Sequence, residues 1–302
     1  MMAQIDTSAA PGPGPSVPPE RQPPHRGEKP VLEISGGAGR ITRDALAELW
    51  MFRGVLWAFT VREVKVRYKQ AAIGVGWAIL QPVVAAAIFA LFLGRYAGLS
   101  SEGVPYLLFA LAGMVPWTYF SNAALNGSQA LVANESMLRK LYFPREVLPF
   151  SSDLASLVDL LPGIAVLAVA VVLYGGSPEL TWIAIPVPVV LLLVFAAAIS
   201  VALSAINVYY RDVKYALPFM IQIGLFLSPV VYPLSSIPEQ WRDVYVVLNP
   251  VATAIDDLRL IMLHGEWPSW GTSALALGWS LLLLVLGYAL FKRLERGFAD
   301  RV

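Results

Sequence analysis

Along this chain, uncharged runs alternate with short charged segments: 70–94, 103–134, 160–178, 180–210, 215–238 and 267–291 contain no Asp, Glu, Lys or Arg. A bilayer core about 30 Å thick takes about 20 residues of helix, so each run is long enough for one span. With six spans and the N-terminus inside, 19 of the 22 Lys and Arg fall on the inner side, and only Arg95, Arg242 and Arg259 fall outside. That asymmetry is the positive-inside bias. The pattern predicts an all-α integral membrane protein with six transmembrane helices and both termini cytoplasmic.

The segments between the runs carry their own signals. Residues 1–40 hold eight prolines before position 31 and no apolar stretch, which predicts a disordered cytoplasmic tail. Over 41–69, Leu46, Leu49, Trp50, Leu56, Trp57 and Phe59 recur at helical spacing among Arg43, Asp44, Glu48 and Arg53. This predicts an amphipathic helix in the inner headgroup layer, leaving 70–302 as the transmembrane domain. Arg62, Lys65, Arg67 and Lys69 would suit a pyrophosphate headgroup arriving at the inner leaflet; topology alone explains them equally well.

Three further places depart from plain spans. The second run is too long for the hydrocarbon, and its latter part, Ser121, Asn122, Asn126, Gly127, Ser128, Gln129 and Asn134, is polar without charge. It should leave the membrane or line a wet interior. The loop 134–146 mixes apolar and charged residues, as a docking helix for a soluble partner requires. The third helix is expected to begin near Ser151, which places Asp159 about 12 Å along it. A carboxylate at such a depth costs about 2.5–3.5 kcal/mol, so Asp159 should face the bundle or a wet cavity, as a gate contact or a packing carboxylate. Between the fifth and sixth runs, Pro229, Pro233, Pro238 and Pro250 interrupt the helix. Two short helices dipping in from the outer face are the economical reading, and the segment is a candidate outer gate.

Composition narrows the chemistry. Hydrophobic residues make up 57% and charged ones 14% of 302 positions, with a net charge of +1 and no cysteine. Thiol chemistry and disulfides are thereby excluded, and no nucleic-acid partner is expected. Two histidines, far apart, predict no metal site. No Gly-x-x-x-x-Gly-Lys-Ser/Thr loop is present to cradle ATP. Nothing in the chain powers anything by itself.

The stretch Val61-Arg62-Glu63-Val64-Lys65-Val66-Arg67-Tyr68-Lys69-Gln70, followed by Gly74-Val75-Gly76-Trp77-Ala78-Ile79-Leu80-Gln81-Pro82, closely resembles the opening of ABC-2 type permeases that export bacterial surface polysaccharides such as O-antigen, capsule, teichoic acid and galactan. Met137 to Glu146, Asn207 to Lys214, Ser228 to Pro233 and Asn249-Pro250 look like the same family. The resemblance runs from about residue 45 to the C-terminus. It implies a permease in the bacterial cytoplasmic membrane, working as a homodimer with two copies of a separate nucleotide-binding subunit. ATP and magnesium would be held by that subunit, with no cofactor on this chain. The cargo would be a lipid-linked polysaccharide. The resemblance also places the ATPase-docking contact at Arg139, Lys140, Leu141, Tyr142, Phe143 and Arg145, and the interface helix and outer gate helices where the pattern puts them.

Sugar C–H faces stack on aromatic rings, so Trp77, Phe89, Trp117, Tyr119, Phe120 and Tyr232, with Asp159, are channel-lining candidates; aromatics are equally common in interfacial and lipid-facing packing. A drug or small-lipid ABC-2 permease is the alternative within transport. A membrane glycosyltransferase is the alternative outside it, with only Asp256, Asp257 and Arg259 to supply its chemistry. The two are separable: replacing Asp256 and Asp257 with Asn is expected to leave glycan export running, measured as surface glycan. Complete loss would favour the enzyme.

Overall fold

The computed structural model describes residues 50–69, 74, 76–138, 140 and 143–298. The expected tail 1–40 and residues 41–49 lie outside the described residues. Among the described residues the chain is helical and contains no strand. In chain order the main helices are α1 (Arg53–Tyr68), α2 (Gly76–Tyr96), α3 (Tyr106–Ala133), α4 (Val147–Leu173), α5 (Leu180–Tyr209), α6 (Val213–Leu227), α7 (Glu239–Leu248), α8 (Pro250–Arg259) and α9 (Trp270–Glu295). The last turns of α2, Ala90–Tyr96, widen into a π-helix, and a second π turn, Leu260–His264, continues α8.

Each of the six uncharged runs holds one helix. Four of these, α2, α4, α5 and α9, are long and apolar enough to cross a membrane. Helix α3 is as long, with 28 residues, but its second half is polar. Helix α6 has 15 residues, about 22 Å of helix, which is short of a hydrocarbon core. One boundary differs from expectation: α4 begins at Val147, so Asp159 lies about 18 Å along it instead of 12. Pro149 permits the early start. It falls in the first turn, where a missing N–H costs nothing.

Local sequence explains the other boundaries. Pro250 stands in the first turn of α8, and the Asn249 side chain accepts from the Ala252 amide at 3.3 Å, a cap for an otherwise orphan donor. Gly265, at φ 66°, ends the π turn in the left-handed conformation glycine favours. Serines within the helices return their hydroxyls to the backbone: Ser121 to Trp117, Ser156 to Ser152 and Ser280 to Ala276. They cross apolar surroundings without an unsatisfied group.

Helix α3 is the hub, flanked by α4 and α5, with α2 and α8 against it; α9 runs along α5 and α1 lies on α4. Its residues from Leu108 to Trp117 are buried without a break. Within the polar second half, Gly127 and Ser128 are buried and Gln129 is exposed, and the Ser128 carbonyl accepts from the Asn207 amide of α5 at 3.0 Å. Small residues set the close approaches. A Cβ on Gly163 would come within 3.0 Å of Val115, and one on Gly287 within 2.9 Å of the Ala198 carbonyl and 3.2 Å of Ala202.

Gly287→Leu is therefore expected to wedge α9 from α5 and to destabilise the chain by about 1–3 kcal/mol, the usual cost of overpacking. Gly278→Leu, where a Cβ meets nothing within 4 Å, should leave the thermal midpoint in detergent unchanged. Comparing the two unfolding curves checks the packing.

Candidate functional site

At the C-terminal end of α1, Arg67 and Tyr68 both reach α4. The Arg67 guanidinium pairs with one oxygen of Asp159, and the Tyr68 hydroxyl donates to the other. Burial first, then the bond to Asp159, pushes the Tyr68 hydroxyl up to about 12, so it remains a donor at physiological pH. Behind this pair is a small cavity of about 10 Å³ between three helices. Ala78 and Pro82 of α2, Thr118, Tyr119 and Asn122 of α3, and Asp159, Leu160 and Gly163 of α4 are among its walls.

A second polar junction lies in the core. Asp153 of α4 is buried, and its Oδ1 accepts from the Ser200 hydroxyl of α5 at 2.7 Å. The same hydroxyl lies 3.2 Å from the Ala123 carbonyl of α3, so one serine joins three helices. Gly127 leaves room for it; a Cβ there would overlap the Ser200 side chain.

A third junction holds the chain break after α6. Residues 228–233 are not helical, and their carbonyls need donors. Arg259 of α8 supplies them. Its guanidinium donates to the Pro229 carbonyl at 2.8 Å, the Val230 carbonyl at 2.7 Å and the Phe109 carbonyl at 3.3 Å, and lies 3.5 Å from the centre of the Phe109 ring. Arg259 is only 2% exposed. Gly113 makes the approach possible, because a Cβ there would meet the Val230 carbonyl. On the same helix, Asp257 accepts from the Ser273 hydroxyl at 2.6 Å and the Ser269 amide at 3.3 Å, tying α8 to the start of α9. Asn249 adds a bond to the Ser228 hydroxyl at 3.0 Å.

A fourth junction gathers the loop before α4 and the end of α9. Buried Glu146 accepts from Lys292 at 2.9 Å and from the Tyr288 hydroxyl at 2.8 Å, and Lys292 also pairs with Glu295 at 3.0 Å.

The residues expected to form the site are distributed as follows. Tyr119 and Asp159 share the cavity. Trp117 and Phe120 are neighbours, 5.7 Å between ring centres, and Phe120 stacks on Phe195 at 5.3 Å. Trp77 is exposed on α2, Phe89 is half-buried against the core, and the Tyr232 hydroxyl lies 3.5 Å from that of Tyr245; none of these three joins either group. Of the headgroup candidates, Arg67 is engaged by Asp159, and Arg62 donates to the Asn134 side chain at 3.2 Å; Lys65 and Lys69 are exposed. Of the docking candidates, Arg139, Leu141 and Tyr142 lie outside the described residues, and Lys140 is exposed. Phe143 is buried against Phe59 with 5.1 Å between rings, and the Arg145 guanidinium sits 5.5 Å from the Phe298 ring centre. The described helix in that loop is a single turn, Glu135–Leu138.

Sequence reasoning did not find Arg259 or Glu146 as junction residues. A signal for Arg259 existed. Prolines at 229 and 233 free carbonyls that need a donor, and Arg242 and Arg259 are the cations of that outer segment.

Residues 54–263 match the family described as ABC-2 type transporter. The chain belongs to that family. Among the curated relatives, the O-antigen export system permease protein RfbA of Myxococcus xanthus is 28% identical over 256 residues, covering 84% of this chain and 98% of that protein. A protein of the same name from Klebsiella pneumoniae is 28% identical over 247 residues, 82% of this chain and 94% of its own length. The polysialic acid transport protein KpsM of Escherichia coli is 26% identical over 244 residues, 79% of this chain and 92% of its own length.

In this ABC-2 chain, the stretches that carry the family resemblance coincide with the junctions. Arg67-Tyr68 binds Asp159, and Glu146 binds Lys292. Asn207 bonds α3, the Tyr209 hydroxyl donates to the Leu294 carbonyl at 2.8 Å, and the Pro229 and Val230 carbonyls take Arg259. Arg259→Met would strip donors from buried carbonyls at about 1–3 kcal/mol each, so a loss of about 3 kcal/mol or more is expected. Arg259→Lys, which keeps one donor group, should lose less. Thermal unfolding in detergent, with limited proteolysis within 228–250, checks the order.

Proposed function

We propose that this chain is the membrane-spanning permease subunit of an ABC exporter that moves a lipid-linked polysaccharide across the cytoplasmic membrane, with ATP hydrolysed on a separate subunit. The observation that carries this reading is similarity over 92% or more of the length of relatives named for O-antigen export and polysialic acid transport. Family membership adds an ABC ATPase as partner.

The finer arrangement follows the charge pattern. Six crossings by α2, α3, α4, α5, α6 and α9 put Lys292, Arg293 and Arg296 at the cytosolic end of α9 and the loop 134–146 on the same side. Two observations support this placement. Arg62 of α1 bonds Asn134 in that loop, and Glu146 bonds Lys292, so α1, the loop and the end of α9 meet at one level. Helix α1 then lies at the inner interface, where exposed Trp57, Lys65 and Lys69 suit lipid headgroups. Helices α7 and α8 lie toward the outer side as short re-entrant elements. Helix α6 buries only Leu217, and exposes Tyr215, Phe219, Met220, Ile223 and Phe226. That face, too short to cross by itself, suits a second copy of the chain, which gives the homodimer with two ATPase subunits.

Within this frame the chain contributes no hydrolysis. Its residues hold a path: the polar junctions fix helices against each other while the bulk of each span stays apolar. Arg139 and Lys140, with the rest of 139–145, would receive the ATPase.

Purification of the tagged chain from its native membrane is expected to recover a stoichiometric nucleotide-binding subunit, and depletion should leave lipid-linked glycan stalled inside the cell. A chain that purifies alone, with glycan synthesis itself abolished on depletion, would overturn the reading. Reversing the charges of Arg139 and Lys140 should abolish ATPase recovery while leaving membrane insertion intact.

A further inference from the structure

The cavity at the α2–α3–α4 junction combines features that the helix packing does not account for. Tyr119 is 2% exposed, and among the described residues its hydroxyl has no hydrogen-bond partner, although it is a wall of the cavity. A buried hydroxyl left unsatisfied costs about 1–3 kcal/mol, so a partner is wanted there. Thr118, Asn122 and Asp159, all half-buried, are further walls of the same cavity, beside the apolar Pro82, Leu160 and Gly163.

Charge and size define what fits. Asp159 is the charged group of the lining, and Arg67 neutralises it from the side. An anion would face a carboxylate, and a cation would compete with a guanidinium already in place. A neutral group meets neither cost. Each Asp159 oxygen already accepts one bond, from Arg67 or Tyr68, and a carboxylate oxygen has a second acceptor position. The lining therefore offers an acceptor at Asp159, donor and acceptor at Thr118 and Tyr119, and both at Asn122. That is the complement of an alcohol, which donates once and accepts twice. At about 10 Å³ the cavity has room for one water-sized group, not for a sugar ring.

We propose that this cavity is a subsite for a single neutral hydroxyl group of the glycan, with Thr118, Tyr119, Asn122 and Asp159 as its polar contacts. The proposal rests on the polysaccharide reading above. Arg67 and Tyr68 are positioning residues: they hold the carboxylate at a fixed angle and cancel its charge. A site of this size holds one substituent weakly and releases it as the chain advances, which suits a sliding polymer better than a ring-sized pocket would.

The test uses the whole permease–ATPase complex in proteoliposomes. ATPase activity is titrated with three probes: the glycolipid fraction extracted from the native membrane, the glycan released from it by mild acid, and polyprenyl phosphate alone. Thr118→Val with Tyr119→Phe keeps the shape and removes two hydroxyls. The half-saturating concentration of released glycan, relative to that of polyprenyl phosphate, is expected to rise about three- to ten-fold, the loss of one or two neutral hydrogen bonds. Asn122→Val, at a half-buried position, is a second variant should the first fail to fold, and is expected to shift the same ratio. An unchanged ratio in a variant with the native unfolding midpoint would overturn the subsite and leave the cavity to a structural water only. A wild-type complex that answers to polyprenyl phosphate but to neither glycan probe would overturn the polysaccharide reading itself, and the subsite with it.

Discussion

A backbone that stops being helical inside an apolar protein must find donors for its carbonyls, and in this chain one guanidinium serves two of them and the Tyr106 hydroxyl a third. Arg259 spans the Pro229 and Val230 carbonyls of the break and the Phe109 carbonyl of the central helix, with the Phe109 ring beneath it. A guanidinium is suited to this because its donors fan out in one plane and it is weakly hydrated for a cation. The break, the start of α3 and α8 are thereby fixed as one body. Asp257, two residues earlier on α8, extends that body to the start of α9. The segment from the break to the start of α9 is built on this helix.

The junctions of α1 with α4 and of α9 with the loop before α4 are organised differently. There the charges are paired: Arg67 with Asp159, Lys292 with Glu146 and Glu295. The Arg67–Asp159 and Lys292–Glu146 pairs join elements far apart in sequence, and each is partly open to water, where an ion pair by itself contributes little. Their value is geometric. They set the rotation of α1 on α4 and of α9 on the loop before α4, while small residues and apolar side chains supply the contact area between them.

The helices were legible from hydropathy because charge-free runs of sufficient length have few other uses. Their roles were not. Hydropathy scores lipid-facing and protein-facing apolar residues alike, so nothing in 103–134 marked α3 as the buried centre. Its Asn122, Gly127 and Ser128 read as polar and pointed toward water, when Gly127 and Ser128 in fact serve contacts with α4 and α5. Asp153 interrupts the apolar pattern, and only the Ser200 hydroxyl of another helix shows why a carboxyl is tolerated there. Asp159, expected to face the bundle or a wet cavity because lipid exposure is costly, bonds Arg67 and Tyr68 of α1. Its partner Arg67 was one of four similar cations, and spacing could not single it out.

The two short helices joined at Asn249 differ in one respect with a mechanical meaning. Helix α8 is buried along nearly its whole length and bonded at both ends, whereas α7 buries only Val246 and leaves Trp241, Val244 and Leu248 on the surface. Polar bonds hold α7 by the Tyr245 hydroxyl on the Leu227 carbonyl, and the Arg242 guanidinium fastens the turn before it. The hairpin is thus an anchor with an arm. Displacing the arm would part it from α9, on which it also packs, and would leave the guanidinium knot, and every helix tied by it, in register.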